Sequence, residues 1–233
     1  MNNELVITRR RKKYKFAKFN EMENCYHFDE WLSLCHPELT LSSRAKPRDL
    51  VSGSRIIVEI GAGSALFLVK LAKLHPENLY IAVDIKSDRL YRGAKQAMEE
   101  KINNIKFIRS DIWRITELFN KNSVDEIWLT FCDPYPRKSD AKHRLTHPRF
   151  LDMYKTILRT GPTLTQLYFK TDNKGLFDWS LEQFEQTGWK IKEISRDLHN
   201  SKLPDEYKIM TTYEEKFANE GLPIYFAEFE ISG

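Results

Sequence analysis

Five acidic residues stand at or just past the ends of five consecutive apolar segments, and this spacing is the first indication of chemistry in the chain. Carboxylates accept hydrogen bonds from hydroxyl, amino and nucleobase N–H groups. If the segments are neighbouring parallel strands, their carboxyl ends share the sheet edge where ligands bind in open α/β folds. A single acid after a strand is more often a helix cap or turn residue, so the set matters more than any member. The five are Glu59, Asp84, Asp111, Asp133 and Asp172.

Two glycines after the first acid predict a tight turn against which a ligand can lie. Residues 56–60 suit a buried strand, a helical segment follows, and Gly61 and Gly63 occupy the turn between them. The dinucleotide fingerprint G-x-G-x-x-G would need a glycine at Leu66. The E-x-G-x-G form resembles motif I of the S-adenosylmethionine (SAM) methyltransferases, with a NAD or flavin site, or a turn without ligand, as alternatives. Asp84 is placed to accept hydrogen bonds from both ribose hydroxyls of such a ligand.

The segment Phe-Cys-Asp-Pro-Tyr-Pro-Arg-Lys at residues 131–138 predicts a rigid binding loop. Two prolines keep the backbone extended around Tyr135, so the loop can present a flat ring above Asp133. Together with the basic strip that follows, this suits a base presented from a nucleic acid, with the strip on phosphates. A solvated surface is the alternative for the strip. Its members are Lys142, His143, Arg144, His147 and Arg149.

Strands that alternate with helices position these residues and predict an α/β fold with a mostly parallel sheet covered on both faces. We expect a Rossmann-like class I SAM-dependent methyltransferase sheet of seven strands, the last two forming an antiparallel pair at one edge. The predicted strands are residues 56–60, 79–83, 105–108, 124–131, 165–169, 189–194 and 223–231.

Composition sets the remaining boundaries. The chain has 233 residues and a net charge of +4, and residues 1–18 contain seven Lys and Arg against one Glu. We therefore predict a flexible basic arm over residues 1–20 that binds phosphates, and a single domain over residues 21–233 with residues 21–54 as an extension packed on it. The sequence contains no run of 18 apolar residues, so we expect no membrane span. Three cysteines fit a reducing cytoplasm, and no metal site is predicted.

Four further segments carry a resemblance to a known family. Asp133-Pro-Tyr-Pro-Arg137, running on to His143-Arg144, is similar to the D-P-W-P-K-x-x-H-x-K-R-R pattern of the bacterial TrmB family, the tRNA (guanine-N7-)-methyltransferases. F-K-T-D-N occurs at residues 169–173, D-L-H-N at 197–200 and T-x-Y-E-x-K-F at 211–217. The matches keep the family's order from about residue 56 to 231.

The resemblance implies roles for individual residues. Glu59, Asp84, Asp111 and Asp133 would surround SAM, and Asp133 would also be the catalytic acid. The substrate, a guanine at position 46 in the variable loop of tRNA, would face a second set. That set is Arg137, Asp172, Thr211 and Glu214.

The chain departs from the family pattern at three positions. Ala65 stands where the family commonly has glycine, and Tyr135 replaces tryptophan. Arg137 replaces lysine, so Lys138 could take the lysine's role instead. Two other functions stay open: an amino-methyltransferase acting on adenine or cytosine, which carries D-P-P-Y, and a non-catalytic RNA-binding protein on the same fold. The resemblance leaves both a monomer and a homodimer open.

Overall fold

The computed structural model describes residues 13–35, 54–161, 166–211, 214–215, 217 and 220–231. Its strands are β1 (Cys25–His27), β2 (Ile56–Ile60), β3 (Leu79–Asp84), β4 (Ile105–Arg109), β5 (Glu126–Thr130), β6 (Gln166–Thr171), β7 (Trp189–Ser195) and β8 (Tyr225–Ile231). Its helices are α1 (13–20), α2 (Phe28–Cys35), α3 (Leu66–Leu74), α4 (Ser87–Glu99), α5 (Ile115–Leu118), α6 (Pro148–Ile157) and α7 (Lys174–Gln186).

The strands form one sheet in the order β1-β4-β3-β2-β5-β6-β8-β7. All pairs from β1 to β6 are parallel, and β8 runs antiparallel between β6 and β7. The strand order reverses between β2 and β5, a topological switch point at which α/β sheets bind ligands. The predicted fold class, with its antiparallel pair at one edge, is confirmed.

The sheet has eight strands where the sequence predicted seven. The added strand, β1, pairs parallel with β4 at the register Cys25↔Phe107 and His27↔Arg109. Its three residues, Cys-Tyr-His, are too few to show a hydrophobic alternation, so the sequence pattern did not predict this strand. The described part of the N-terminal extension thus contributes directly to the sheet.

Two buried layers of side chains hold the helices against the two faces of the sheet. One layer joins the sheet to α2, α5, α6 and α7, and the other joins it to α1, α3 and α4. In β2, Val58 and Ile60 belong to the first layer and Ile57 to the second, as the alternation of a strand requires. Both faces are therefore covered, which explains why most strand residues are apolar.

The described residues of the N-terminal region pack against both faces of the sheet. Residues 13–20, assigned from sequence to a flexible arm, form a helix whose Phe19 is fully buried in the second layer. Trp31 on α2 is buried in the first layer, where its Nε1 donates a hydrogen bond to the Leu118 carbonyl at 3.0 Å. Residues 1–12 and 36–53 lie outside the described residues.

The two edge strands differ in how they meet solvent. The edge strand β1 is three residues long, whereas β7 has seven residues, of which Lys190 to Ile194 are exposed. The register of β7 against β8 shifts between Ile191 and Glu193, which marks a bulge. Among the described residues, no helix is both long and apolar enough to span a bilayer.

Candidate active site

The glycine turn joins β2 to α3 at the middle of the sheet. Gly61 and Gly63 have φ of +70° and +53°, a region that side chains with a Cβ rarely adopt. The amide N–H groups of Gly61 and Ala62 donate to the Val83 carbonyl at 2.9 and 3.1 Å, which ties the turn to β3. A Cβ placed on Gly63 would meet nothing within 4 Å. The turn is therefore tied to β3 and open above Gly63, whereas a Cβ at Gly61 would lie 2.8 Å from the Leu145 side chain.

Asp84, at the end of β3, fixes the open side of the turn. One carboxylate oxygen accepts from the Gly63 amide at 2.8 Å and the other from the Lys86 amide at 2.7 Å. The carboxylate is nearly buried, at 9% exposed. Each oxygen keeps lone-pair capacity for one more donor, so Asp84 can shape the cradle and also accept from a ligand.

Gly93 supports the turn from below, and sequence reasoning missed it. A Cβ at Gly93 on α4 would clash with the Ser64 carbonyl oxygen and come within 3.0 Å of the Phe107 ring. The absence of a side chain therefore lets α4 pack directly against the backbone of the turn. A glycine in the middle of a helix is the only sequence signal for such a close approach.

Glu59 is the most deeply buried acid of the row, at 1% exposed. Thr130 Oγ1 donates to its Oε1 at 2.5 Å, and its Oε2 has no hydrogen-bond partner in the described part of the chain. Burial raises the pKa of the carboxyl to about 8, while the Thr130 hydrogen bond and the charge of Lys170 act in the opposite direction. A buried acceptor without a donor fits a site that a ligand's N–H groups complete.

The pleat of the sheet brings Lys170 to the same face as Glu59. Lys170 pairs with Thr130 in the β5–β6 register, and Glu59 and Thr130 are hydrogen-bonded. The Lys170 ammonium is fully buried, lies 2.7 Å from Glu214 Oε1 and donates to the Ile209 carbonyl at 3.1 Å. Burial lowers the pKa of Lys170, and the attraction of Glu214 opposes that change.

Thr211 and Glu214 form a reciprocal cap. The Thr211 amide donates to Glu214 Oε2 at 2.7 Å, and the Glu214 amide donates to Thr211 Oγ1 at 3.0 Å. This is the capping box that the spacing T-x-x-E describes, a signal that the sequence analysis did not use. Glu214 is fully buried and Thr211 is half-buried. The cap leaves the Thr211 hydroxyl proton available as a donor.

The remaining predicted site residues lie exposed at the carboxyl edge of the sheet. Asp111 follows β4 and accepts from the Trp113 amide at 3.1 Å, which caps the 3₁₀ turn Ile112–Arg114. Asp133 and Arg137 lie on the loop after β5, and Asp172 follows β6 directly. The row of acids therefore shares one edge, whereas Glu214 reaches this region through Lys170.

Arg144 holds the loop after β5. Its Nε donates to the Pro134 carbonyl and its Nη2 to the Tyr135 carbonyl, each at 3.0 Å, and its guanidinium stacks 4.3 Å from the Trp179 ring centroid. Tyr135 has φ of +41°, a strained conformation that these contacts support. These bonds use the Nε and one Nη2 proton of Arg144, so the phosphate contact stays a prediction that would have to use its other N–H groups.

Arg149, from the same predicted strip, is also occupied within the protein. Its guanidinium stacks 3.6 Å from the centroid of the Trp113 ring, and its Nη2 contacts the Lys142 carbonyl. Lys142 and His143 are exposed. The basic strip is thus partly a set of loop supports and partly an accessible surface.

The described residues fit SAM as a ligand. The space above Gly63 admits a ligand against the backbone, and the unpartnered Glu59 oxygen suits a cationic amino group. Asp84 stands at the distance along the chain at which nucleotide sites place a ribose acceptor.

Comparisons with known proteins agree with this geometry. A family model described as "Putative methyltransferase" matches residues 54–227. Among solved structures, the 16S rRNA methyltransferase KamB superposes with a TM-score of 0.58 at 15% identity, covering 77% of this chain and 89% of that one. A SAM-dependent methyltransferase from Aquifex aeolicus gives a TM-score of 0.52 at 12% identity, covering 76% and 82%. The fold and the site thus define a class I SAM-dependent methyltransferase.

Similarity to curated proteins is closer and more specific. A tRNA (guanine-N(7)-)-methyltransferase of Streptococcus pneumoniae is 40% identical over 192 residues, covering 82% of this chain and 89% of that protein. Proteins of the same name from Cytophaga hutchinsonii and Macrococcus caseolyticus are 40% and 39% identical, covering 76% and 72% of this chain and 80% and 78% of theirs. The chain belongs to the tRNA (guanine-N7-)-methyltransferase family.

Proposed function

We propose that the chain transfers the methyl group of SAM to N7 of the guanine at position 46 in the variable loop of tRNA. The observation that carries the proposal is the row of carboxylates along one sheet edge, centred on a glycine turn that is open above Gly63. Family membership supports the choice of guanine N7 and tRNA. We further propose a cytoplasmic enzyme that acts as a monomer or homodimer.

The cofactor half of the site is proposed as follows. Glu59 accepts from the amino group of SAM, the backbone at Gly61 and Gly63 lies against it, and Asp84 accepts from the ribose hydroxyls. Asp111 accepts from the adenine amine. Bound SAM supplies a methyl group on a sulfonium centre, an electrophile that a neutral nitrogen can attack.

The substrate half has less chemistry to perform and more positioning. Guanine N7 carries a lone pair in the neutral base, so the N7–C bond can form as the S–C bond breaks without prior loss of a proton. Holding the reactants in line is worth about 7–11 kcal/mol of barrier in favourable cases. Asp133, with Asp172, accepts from guanine N1–H and the exocyclic amine, which selects guanine over adenine and stabilises the positive charge that develops on the purine.

The other residues implied by the family pattern lie beside this site. Arg137, or Lys138 next to it, is exposed and suits a phosphate or base contact. The bond from the Glu214 amide uses a lone pair of the Thr211 hydroxyl oxygen, so the hydroxyl proton can still be donated to the substrate. The carboxylate of Glu214 is fully buried, so we expect it to act on the substrate through the segment that it caps.

A cationic groove supports contact with the tRNA backbone. The groove has a volume of about 370 Å³ and lies between α1 and the loop after β3. Its lining combines three cations with an aromatic ring, namely Lys13, Lys86 and Arg109 with Phe16, beside Ile85, Ser87 and Asp88. Such groups bind phosphates without reading sequence.

One assay tests the proposal against its alternatives. The protein is incubated with labelled SAM and unmodified tRNA, the product is digested, and the methylated nucleoside is identified. We expect 7-methylguanosine, and none from tRNA in which guanine 46 is replaced by adenine. A label on adenine or cytosine would indicate an amino-methyltransferase, and SAM-independent tRNA binding without label would indicate a binding protein; either result overturns the proposal.

A further inference from the structure

Lys170 is a buried cation that has no role in the proposed binding of SAM or guanine. Its side chain is fully buried in β6, and its ammonium lies 5.1 Å from the centroid of the Phe67 ring on α3. Removing an ammonium from water costs several kcal/mol, even after relaxation, unless partners compensate for it. The described partners are the Glu214 carboxylate at 2.7 Å and the Ile209 carbonyl at 3.1 Å.

These partners belong to the segment that carries Thr211. Ile209 precedes Thr211 by two residues, and Glu214 closes the cap on Thr211 from the other side. Lys70 on α3 adds a second cation to the same segment, since its ammonium donates to the Met210 carbonyl at 2.8 Å and pairs with Glu215 at 3.3 Å. Lys170 therefore fixes the backbone of a proposed substrate segment from beneath.

The same ammonium also acts on the cofactor side. Glu59, Thr130 and Lys170 lie on three neighbouring strands and face one layer, and the charge of Lys170 favours the ionised form of Glu59. Burial raises the pKa of Glu59 to about 8 even with Lys170 in place, so loss of that charge would raise the pKa further and make ionisation on binding harder. The titratable groups acting on Glu59 are Asp84 from β3, Cys132 from the loop after β5, Lys170 from β6, and Glu214, which His199 contacts at 3.3 Å.

We infer that Lys170 is a positioning residue shared by the two halves of the active site: its buried ammonium places positive charge beside Glu59, which accepts the amino group of SAM, and anchors Ile209 and Glu214 around Thr211 for the guanine. This inference rests on the proposed function in two respects, the assignment of Glu59 to SAM and that of the segment around Thr211 to the guanine. Lys170 touches neither reactant, so its effect passes through Glu59 and Glu214. A core ion pair with no link to the site would stabilise the fold without influencing how SAM binding responds to pH.

The first test measures SAM affinity between pH 6 and 9.5 in the full chain. The wild type should lose affinity as pH falls below the pKa of Glu59, because the acid must release a proton to accept from the amino group. We call this loss of affinity at low pH the acidic limb of the profile. Lys170→Met should move its midpoint to a pH about one unit higher, because a neighbouring charge shifts the pKa of a buried carboxyl by about that much. At pH 7 that corresponds to about tenfold weaker binding.

A second variant removes the partner of Lys170 and guards against misfolding of the first. Glu214→Gln removes an anion near Glu59 together with the partner that favours the charged form of Lys170, so the limb should lie at or below its wild-type pH and should not show the upward shift of Lys170→Met. In both variants, turnover of tRNA should fall at saturating SAM, because the ion pair between Lys170 and Glu214 that holds the segment around Thr211 is lost.

The matched control is Lys192→Met. Lys192 pairs with the buried Glu228 at 2.7 Å on the antiparallel strands, so its loss breaks a similar pair elsewhere in the sheet. It should leave the limb and the turnover unchanged. Equal limbs in the wild type and both site variants, or an equal shift in Lys192→Met, would overturn the inference. The acidic limb reports on SAM binding alone. The expected shift can therefore be absent while 7-methylguanosine still forms, and 7-methylguanosine can be absent while the limb shifts.

Discussion

Glu59, the proposed acceptor for the amino group of SAM, opposes the stability of its own fold when it ionises. Burial raises the pKa of this carboxyl from 4.5 to about 8 in the folded protein. Between these values the folded state binds more protons than the unfolded state, so the free energy of unfolding falls as pH rises through that range. A bound cationic group would offset the loss, which links ligand binding to stability at neutral and alkaline pH.

Glu59→Gln tests this conflict in the SAM-free protein. Glutamine cannot ionise, so the variant should gain melting temperature relative to the wild type as pH rises from 5 to 8.5, and it should bind SAM more weakly. Thermal unfolding at both pH values measures the difference. The control is Glu185→Gln on the exposed side of α7, which should show no such trend. A difference that stays constant with pH would contradict the assignment.

Asp133 is the residue that we propose for the substrate half of the site. Asp133→Ala should lower kcat by about 10²–10³, the scale for removing one electrostatic contact to a transition state. The SAM dissociation constant should change only modestly. Single-turnover rates and SAM titration check the two statements separately, with Asp152→Ala, exposed on α6, as the control. Normal turnover at saturating SAM with weakened SAM binding would assign Asp133 to the cofactor instead.

At the scale of elements, the position of α4 decides the shape of the glycine turn. Asp84 holds the turn from its open side, and Gly93 lets α4 support it from below. The two contacts together leave the backbone at Gly63 little freedom to shift. A site built in this way depends on close packing between a helix and a loop, and small volume changes there should be felt in binding.

Gly93→Ala should therefore weaken both the fold and the site. The added methyl group meets the Ser64 carbonyl, which cannot move without moving the turn, so we expect a loss of about 1–3 kcal/mol in the free energy of unfolding. SAM affinity should fall as well. Denaturant unfolding and SAM titration measure both effects. Gly175→Ala on α7, where the nearest atom is a side-chain oxygen at 3.4 Å, should leave SAM binding unchanged.

The elements also show what the sequence could reveal. Hydrophobic patterning located seven strands and the glycine turn, because each strand is long enough to show its apolar side chains. The three residues of β1 are too short for such a signal, and the contact of Gly93 with Ser64 joins positions that are distant in sequence. The pairing of Lys170 with Glu214 was equally hidden, whereas the cap between Thr211 and Glu214 was readable from its spacing. The structural contacts of the basic strip were also hidden. Arg144 supports the loop after β5, and Arg149 stacks on the Trp113 ring.

At the scale of the whole molecule, positive charge collects beside the carboxyl edge of the sheet. Lys13 on α1, Lys86 after β3 and Arg109 at the end of β4 converge on one groove although they are far apart in sequence. The chain as a whole carries a net charge of only +4. Local arrangement therefore matters more than net charge for binding a polyanion.

Deleting residues 1–18 should flatten the salt dependence of tRNA binding, and so should replacing Lys13, Lys86 and Arg109 with alanine. Each lost phosphate contact should reduce the slope of log K against log salt by about 0.7–0.9. Binding titrations at several salt concentrations measure the slope, and Lys190→Ala on β7 is the control. An unchanged slope in both variants would assign the groove to another ligand.

The two margins of the sheet have a consequence for behaviour at high concentration. A free strand margin can recruit a strand from another molecule, and proteins resist this by shortness, lysine and irregular register. One margin here is only three residues long, and the other displays Lys190 and Lys192 around a bulge. Within the described residues, neither margin offers a long, regular row of free amide and carbonyl groups, so we expect the folded protein to resist fibre-like self-assembly.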